Sequence, residues 1–154
     1  MVLLLVLAIL PATVCAEETA MSQIVTFKGN AVKCLAPVAI RMIDGMLRQL
    51  QTTGFDLEPG FHTLAGDTTG MLGRCPKGER RSGKHLGFPA VEWFFEPGKV
   101  YYVALDHHYY LEEEWRLVVW KVVTEDGETV FDISRPEQAN KPVNQLHNKF
   151  TGLN

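Results

Sequence analysis

Two adjacent histidines, His107 and His108, are the side chains through which this sequence could bind a metal ion. Imidazole nitrogens bind zinc and copper, and nearby Asp106 or Glu112, together with the more distant His62, could complete the ligand set. Neighbouring residues of a strand point to opposite faces, so both histidines reach one ion only if the strand ends before them. No CxxC or HExxH spacing supports the site. The simpler interpretation is two polar residues at a strand end.

A second candidate site is a glycine-rich basic loop, residues 67–87, whose length is typical of functional or mobile loops. Its segment GERRSGKH matches the phosphate-loop pattern GxxxxGK, but His85 replaces the following Ser or Thr that would bind magnesium. Gly87 and Pro89 prevent the helix that must come next, so we interpret the loop as solvated and basic. The candidate binding residues in it are Lys77, Arg80, Arg81 and Lys84.

An acidic and aromatic segment, DHHYYLEEEW at residues 106–115, has the opposite charge. Aromatic residues at strand spacing are usually core residues. Tyr109 and Tyr110 instead fall in an expected loop, which makes them the candidates for an exposed stacking platform, such as one for sugars. The basic and the acidic loop could each be a partner surface or a solvated turn, and they could also face each other across the fold.

Catalytic signatures are absent from the sequence. It contains no HExxH, GxSxG or GxGxxG motif, and residue spacing does not assemble a nucleophile, a base and an orienting group. We therefore expect no enzymatic activity and no cofactor, and we rank a hydrolase that uses scattered Asp, Glu and His last. The net charge of -3 and the pI of about 5.9 argue against a nucleic-acid partner, because such binding needs a basic surface.

The N-terminal segment MVLLLVLAILPATVCA resembles a secretory signal helix, although no basic residue precedes its apolar run. Val14 and Ala16 place the expected cleavage before Glu17. The run is shorter than the roughly 20 residues that span a bilayer, so we expect no transmembrane segment in the mature chain. Because Val14 rather than Gly, Ala or Ser precedes Cys15, a lipid anchor ranks below simple cleavage, and a periplasmic or secreted protein is expected.

Cys34 and Cys75 would both remain in the mature chain. In an oxidising compartment two cysteines most simply form one disulfide, which here would close a loop of about 40 residues and stabilise the fold by roughly 4 kcal/mol. The alternative is two buried, unpaired thiols, since spacing alone does not show whether the Cα atoms approach each other.

The elements that would position these residues are predominantly strands. Residues 22–29 begin with a short β-prone run, and residues 37–45 alternate as a strand that ends at the turn pair Asp44-Gly45. Residues 46–51 fit either a helical turn or an edge strand, whereas residues 55–66 predict strand, turn and strand.

The second half of the chain is richest in aromatic and β-branched residues. Four strands joined by short turns into an antiparallel meander are predicted there, at 90–95, 99–106, 115–123 and 129–134. The pair Asp126-Gly127 predicts a type I′ hairpin before the last strand. The strand at 99–106 is apolar on both faces, with Tyr101 on one and Tyr102 on the other. Strands covered on both sides indicate a sandwich or a closed barrel.

The triplet Glu-Pro-Gly occurs twice, in LEPGFHTL at residues 57–64 and in FEPGKVYYVAL at residues 95–105. Proline and glycine at the two central positions predict type II turns, so we interpret both triplets as chain reversals. Together with MIDG and WRLVVWKV, these segments resemble small exported bacterial cell-envelope proteins, often lipoproteins, with PEGA-like β-sandwich domains. The resemblance covers about residues 38–123 and implies a fold but no catalytic residues. This chain departs from it in the missing lipobox and the long basic loop.

We therefore predict an all-β protein, an antiparallel β-sandwich of Ig-like or PEGA-like type preceded by a cleavable N-terminal signal helix. The expected division is a signal peptide at residues 1–16, a β-sandwich domain at 17–135 and a poorly ordered C-terminal tail at 136–154. The leading functional hypothesis is a non-catalytic binding or structural role in the cell envelope, which could involve an envelope protein partner. The alternative is a periplasmic metal-binding protein that uses the histidine cluster.

Overall fold

Residues 20–70, 73, 75–78 and 87–133 are described by the structure, which is a computed structural model. The predicted signal peptide and the predicted C-terminal tail lie outside the described residues, as do the candidate binding residues Arg80, Arg81 and Lys84. Within the described part of the chain, no helix is both long and apolar enough to cross a membrane.

Strands dominate the part of the chain that the structure describes, which confirms the all-β prediction. They are β1 (Ser22–Val25), β2 (Leu35–Ala36), β3 (Val38–Ile43), β4 (Met46–Gln51), β5 (Phe55–Leu57), β6 (Gly60–Thr68), β7 (Ala90–Phe95), β8 (Val100–Asp106), β9 (Arg116–Val123) and β10 (Thr129–Asp132). Short 3-10 helices span Ala31–Lys33 and Glu112–Glu114. The ambiguous segment at 46–51 is therefore a strand.

The strands form two sheets. Sheet A has the order β10-β9-β8-β1-β5, with β2 also paired to β8, and sheet B has the order β4-β3-β6-β7. Neighbouring strands are antiparallel except for β1 and β8, which run parallel with Gln23 opposite Val100. This parallel pair was not predicted, because the two segments are far apart in sequence and parallel pairing leaves no turn signal between them.

The hydrophobic core lies between the sheets and uses alternate residues of their strands. In β8, Tyr101, Val103 and Leu105 are buried in this core, while Tyr102 points to the outer face of sheet A. Each large apolar side chain that leaves water here contributes about 1.5–3 kcal/mol. Two sheets sharing one core make the fold an all-β sandwich.

The turn predicted at Asp44-Gly45 and the hairpin predicted at Asp126-Gly127 have different geometries. Asp44 and Gly45 both have positive φ, 52° and 76°, as a type I′ turn between β3 and β4 requires. The prediction of a type I′ turn at Asp126-Gly127 is wrong, because only Gly127 has positive φ, at 82°. The amide of Gly127 donates to the Thr124 carbonyl, so a three-residue loop joins β9 to β10.

Both Glu-Pro-Gly triplets carry the chain from one sheet to the other. The first joins β5 of sheet A to β6 of sheet B, and the second joins β7 of sheet B to β8 of sheet A. They lie at the same end of the sandwich, since Gly60 is paired with Phe95. The φ of Gly98, 68°, fits the predicted type II turn, but the φ of Gly60, 142°, does not. The predicted four-strand meander is also wrong, because β7 belongs to sheet B and only β8, β9 and β10 form the meander.

The sandwich thus has two distinct ends. We call the end that holds both triplets and Asp44 the turn end, and the end that holds Cys34 and Asp106 the disulfide end. Strand pairing defines this division, because Leu35 lies opposite Asp106 and Val38 lies opposite Thr68 at the disulfide end.

Candidate functional site

The disulfide end is built around a bond between Cys34 and Cys75, whose Cα atoms are 5.7 Å apart. This confirms the predicted pair. Cys34 sits in the left-handed conformation directly after a 3-10 helix, and its carbonyl accepts a hydrogen bond from the amide of His107. The disulfide therefore ties the segment 75–78 to the end of β8.

His107 is completely buried beneath that segment. Its Nδ1 lies 3.3 Å from the carbonyl oxygen of Pro76, and its ring packs edge-on against Trp115 with centroids 5.7 Å apart. Because a carbonyl only accepts hydrogen bonds, Nδ1 carries a proton. The Nε2 is buried and has no hydrogen-bond partner among the described residues. His107 is therefore an interior residue of the loop junction and not a surface ligand.

Both histidines lie beyond the end of β8 at Asp106, so the alternation of a strand does not apply to them, but the side chain of His108 is 48% exposed whereas His107 is buried. Its Nδ1 hydrogen-bonds to the buried carboxylate of Asp106, and its ring stacks on Tyr109 with centroids 3.8 Å apart. The Nε of Arg116 lies 3.6 Å from the other carboxylate oxygen of Asp106. The buried carboxylate of Asp106 thus has a hydrogen-bond partner in His108 and an ion-pair partner in Arg116.

The structure does not bring the three histidines of the metal hypothesis together. His62 lies on β6 near the turn end, whereas His107 and His108 lie at the disulfide end, where the first is buried and the second exposed. Among the residues that the structure describes, no group of three His, Cys, Asp or Glu side chains could hold a metal ion.

The basic and acidic loops meet at the disulfide end. Gly78 has a φ of 79° and packs so closely on Trp115 that an added Cβ would lie 2.5 Å from its ring. The indole nitrogen of Trp115 in turn donates to the carbonyl of Tyr109 at 3.0 Å. Of the remaining candidate binding residues, Lys77 and Tyr110 are exposed. These contacts make the described base of the basic loop part of the scaffold.

The outer face of sheet A carries a group of aromatic and basic side chains, among them two strand aromatics, Tyr102 and Trp120, that their spacing predicted to be core residues. We call this group the aromatic surface; it consists of Phe27, Lys28, Tyr102, Trp120 and Lys121. The rings of Tyr102 and Trp120 meet edge-to-face at 5.6 Å, and Phe27 is 51% exposed. The ammonium groups of Lys28 and Lys121 lie 5.7 and 5.5 Å from the centroid of the Tyr102 ring.

A groove of about 540 Å³ runs beside the aromatic surface across β5, β1 and β8. Phe27, Lys28 and Tyr102 belong to its lining, together with the polar side chains of Gln23, Thr53 and Asp56. The alternation of Tyr101 and Tyr102 could have indicated an outward-facing tyrosine. The neighbouring lysines could not have been found, because they approach it only after β8 has paired with β1 and β9.

The turn end holds a second, separate histidine cluster. The Nδ1 of His62 lies 2.7 Å from a carboxylate oxygen of Asp44, and its Nε2 lies 3.0 Å from the carbonyl oxygen of Glu58. The other carboxylate oxygen of Asp44 accepts a hydrogen bond from the amide of Thr63 at 2.8 Å. This cluster joins the β3–β4 turn to the first Glu-Pro-Gly crossing, and we interpret it as structural.

The charge state of Asp44 is set by these partners. Partial burial raises the pKa of Asp44, but the hydrogen bonds from His62 and the Thr63 amide and the positive charges of His62 and Arg48 outweigh it. The pKa of Asp44 is therefore held below its ordinary value of 3.8.

Replacing Asp44 by asparagine is expected to make the free energy of unfolding less dependent on pH. A carboxylate whose pKa is lowered by folding stabilises the protein above the unfolded value of 3.8, and this contribution disappears as the pH falls through the folded value. Because Asp44 is partly exposed, the contribution at neutral pH is expected to stay below about 1 kcal/mol. Urea unfolding of both chains across this pH range measures it. The matched control is Asp67→Asn, which removes an exposed carboxylate 3.6 Å from Arg41. If the difference in free energy of unfolding between D44N and the natural chain persisted at the acid limit, the lowered pKa of Asp44 would not be its cause.

Comparison with known proteins adds no relative. No family model matches the chain, and neither a curated protein nor a solved structure matches it.

Proposed function

We propose that this chain is an exported, non-catalytic β-sandwich protein that acts by binding in the cell envelope. The observation that carries the proposal is the Cys34–Cys75 disulfide, which joins a surface segment to the end of a buried strand. Such bonds persist in oxidising compartments and are rare where thiols are kept reduced. Periplasmic or secreted location, reached through the predicted signal at residues 1–16, is part of this proposal.

The arrangement of the histidines supports a non-catalytic role. His62 is engaged by two acceptors and His107 is buried under Pro76 and Trp115. Among the histidines that the structure describes, His108 alone combines an orienting carboxylate with an exposed ring, and its described contacts, Asp106 and Tyr109, include no serine, threonine or cysteine. A hydrolase of the Ser–His or Cys–His type would need one of these beside it.

The outer face of sheet A is the surface on which we place the proposed binding. The strand β8 is apolar on both faces, yet only its inner face belongs to the core between the sheets. Its outer face presents Tyr102 next to a groove, where exposed aromatic area is available to a partner.

We further propose that the sandwich is of the PEGA-like type. In support, the segments that carry the resemblance form turns of this sandwich: MIDG forms the β3–β4 hairpin, and the two Glu-Pro-Gly triplets form the crossings between sheets. This part of the proposal concerns the fold and assigns no ligand.

Export and disulfide formation can be tested in one experiment. When the chain is expressed from Met1 in a bacterial host, we expect the mature protein outside the cytoplasm, beginning at Glu17, with a linked Cys34–Cys75 peptide in non-reduced digests. A matched chain that lacks residues 1–16 should stay in the cytoplasm. Cytoplasmic retention of the longer chain, or two freely alkylated thiols in its non-reduced form, would refute export.

A further inference from the structure

We propose that the aromatic surface binds an acidic saccharide, a sugar ring that carries a carboxylate, sulfate or phosphate group. This inference rests on the binding role proposed above and names the ligand class for it. Its starting observation is the ring of Tyr102, which the ammonium groups of Lys28 and Lys121 approach to 5.7 and 5.5 Å. A bound anion near this ring would be within reach of both cations.

The aromatic rings provide the apolar part of such a site. Phe27 is 51% exposed, the partly exposed ring of Tyr102 is in edge-to-face contact with Trp120, and the Lys28 ammonium group lies close to both Phe27 and Tyr102. One face of a pyranose ring presents only C–H groups, whose slight positive charge suits the negative face of an aromatic ring. A sugar stacked here would cover apolar area that now faces water.

The groove provides space and hydrogen-bonding groups. Its volume of about 540 Å³ is of the size that small ligands occupy. The side chains of Gln23, Thr53 and Asp56 line it, and they offer both donors and acceptors to sugar hydroxyls. An apolar ligand would leave these polar groups unsatisfied, so the lining favours a ligand rich in hydroxyl groups.

The charge of the site selects an acidic sugar over a neutral one. Two lysines flank the ring of Tyr102 itself, while the neighbouring acidic residues are Asp56 in the groove lining and Asp132, which lies opposite Lys121 on β10. The chain as a whole carries a formal charge of -3, so the two lysines beside Tyr102 are not a consequence of overall composition. Exposed charges are screened over about 10 Å at 0.1 M salt, so binding should weaken as salt is added.

Two polymers with the same backbone test the proposal. Polygalacturonate carries free carboxylates, and its fully methyl-esterified form carries none, so calorimetric titration of the mature protein with each isolates the charge. We expect binding of polygalacturonate that is at least about tenfold tighter than binding of the ester and that weakens with salt. Trigalacturonate tests whether a short chain suffices.

Variants on the outer face locate the site. The double change Lys28→Gln and Lys121→Gln should weaken polygalacturonate binding about tenfold, and Tyr102→Ala should do the same, while Tyr102→Phe keeps the ring and should bind normally. The control Lys33→Gln removes an exposed positive charge elsewhere and should change affinity less than about twofold. Unfolding curves of each variant show whether the fold is intact.

Each contrary outcome has a distinct meaning. Equal binding of acid and ester, or no binding of either, would overturn the acidic-saccharide ligand, while the export experiment decides the proposed function separately. Loss of binding in Lys77→Gln, with full binding in the Lys28 and Lys121 double variant, would move the site to the basic loop and overturn the assignment. Loss in Tyr102→Phe as well as Tyr102→Ala would exclude ring stacking as the contact.

Discussion

Replacing Phe95 by alanine is expected to remove about 3–5 kcal/mol from the free energy of unfolding. Phe95 is completely buried, its ring packs edge-to-face on Tyr101 at 4.9 Å, and it ends β7 directly before the second crossing between the sheets. Alanine would leave a cavity where β7 of sheet B meets β8 of sheet A. Urea denaturation followed by tryptophan fluorescence measures the loss.

The matched control for this change is the preceding residue of the same strand. Phe94 points to the opposite face, where it packs on the exposed ring of Phe61 at 5.0 Å. Phe94→Ala is expected to cost about 1 kcal/mol or less, because surface-facing residues contribute little to the core. Similar losses for the two alanine variants would mean that the inner and outer faces of β7 have been assigned wrongly.

Replacing both cysteines by serine is expected to cost about 4 kcal/mol of stability, since the disulfide links residues 41 positions apart and restricts the unfolded chain. That is a large part of the 5–15 kcal/mol typical of a folded domain. The double variant is preferable to a single change, which would leave one reactive thiol. The measurement is again the urea midpoint under non-reducing conditions.

A reductant supplies the control for the disulfide prediction. The natural chain in excess dithiothreitol should unfold at the midpoint of the double serine variant, and the variant itself should not respond to reductant. If neither dithiothreitol nor the double serine change lowered the urea midpoint below that of the natural chain, the bond would not be stabilising. Without the bond, the Nδ1 of His107 should also lose its carbonyl partner, because the bond holds Pro76 against it.

Local sequence pattern was sufficient for the strands but not for their assignment to sheets. Alternation in β8 correctly separated Tyr101 from Tyr102, because side-chain direction follows the strand period. The Glu-Pro-Gly triplets restrict a few dihedral angles, and these do not determine whether the next strand joins the same sheet or the opposite one. For that reason the triplets were predicted as reversals, and β7 was predicted in the wrong sheet.

The candidate site was harder to predict than the fold because its residues converge only through long-range pairing. Histidine is a common metal ligand, so His107 was a candidate from its residue type alone. It is buried because the disulfide places Pro76 above it. Tyr102 acquires its two cations from Lys28, which follows β1, and from Lys121 on β9. No short segment contains these three side chains, so no local sequence motif could have identified the aromatic surface.

The parallel pairing of β1 with β8 has a consequence for the order in which the protein folds. β1 can pair early with β5, but its other neighbour is β8, so sheet A cannot be completed around β1 until much of the chain has been synthesised. Closing so long a loop costs entropy before any contact compensates for it, and topologies of this kind fold in milliseconds to seconds. Until β8 emerges the core between the sheets is incomplete, and an incompletely folded polypeptide is the form that can be threaded through a narrow channel.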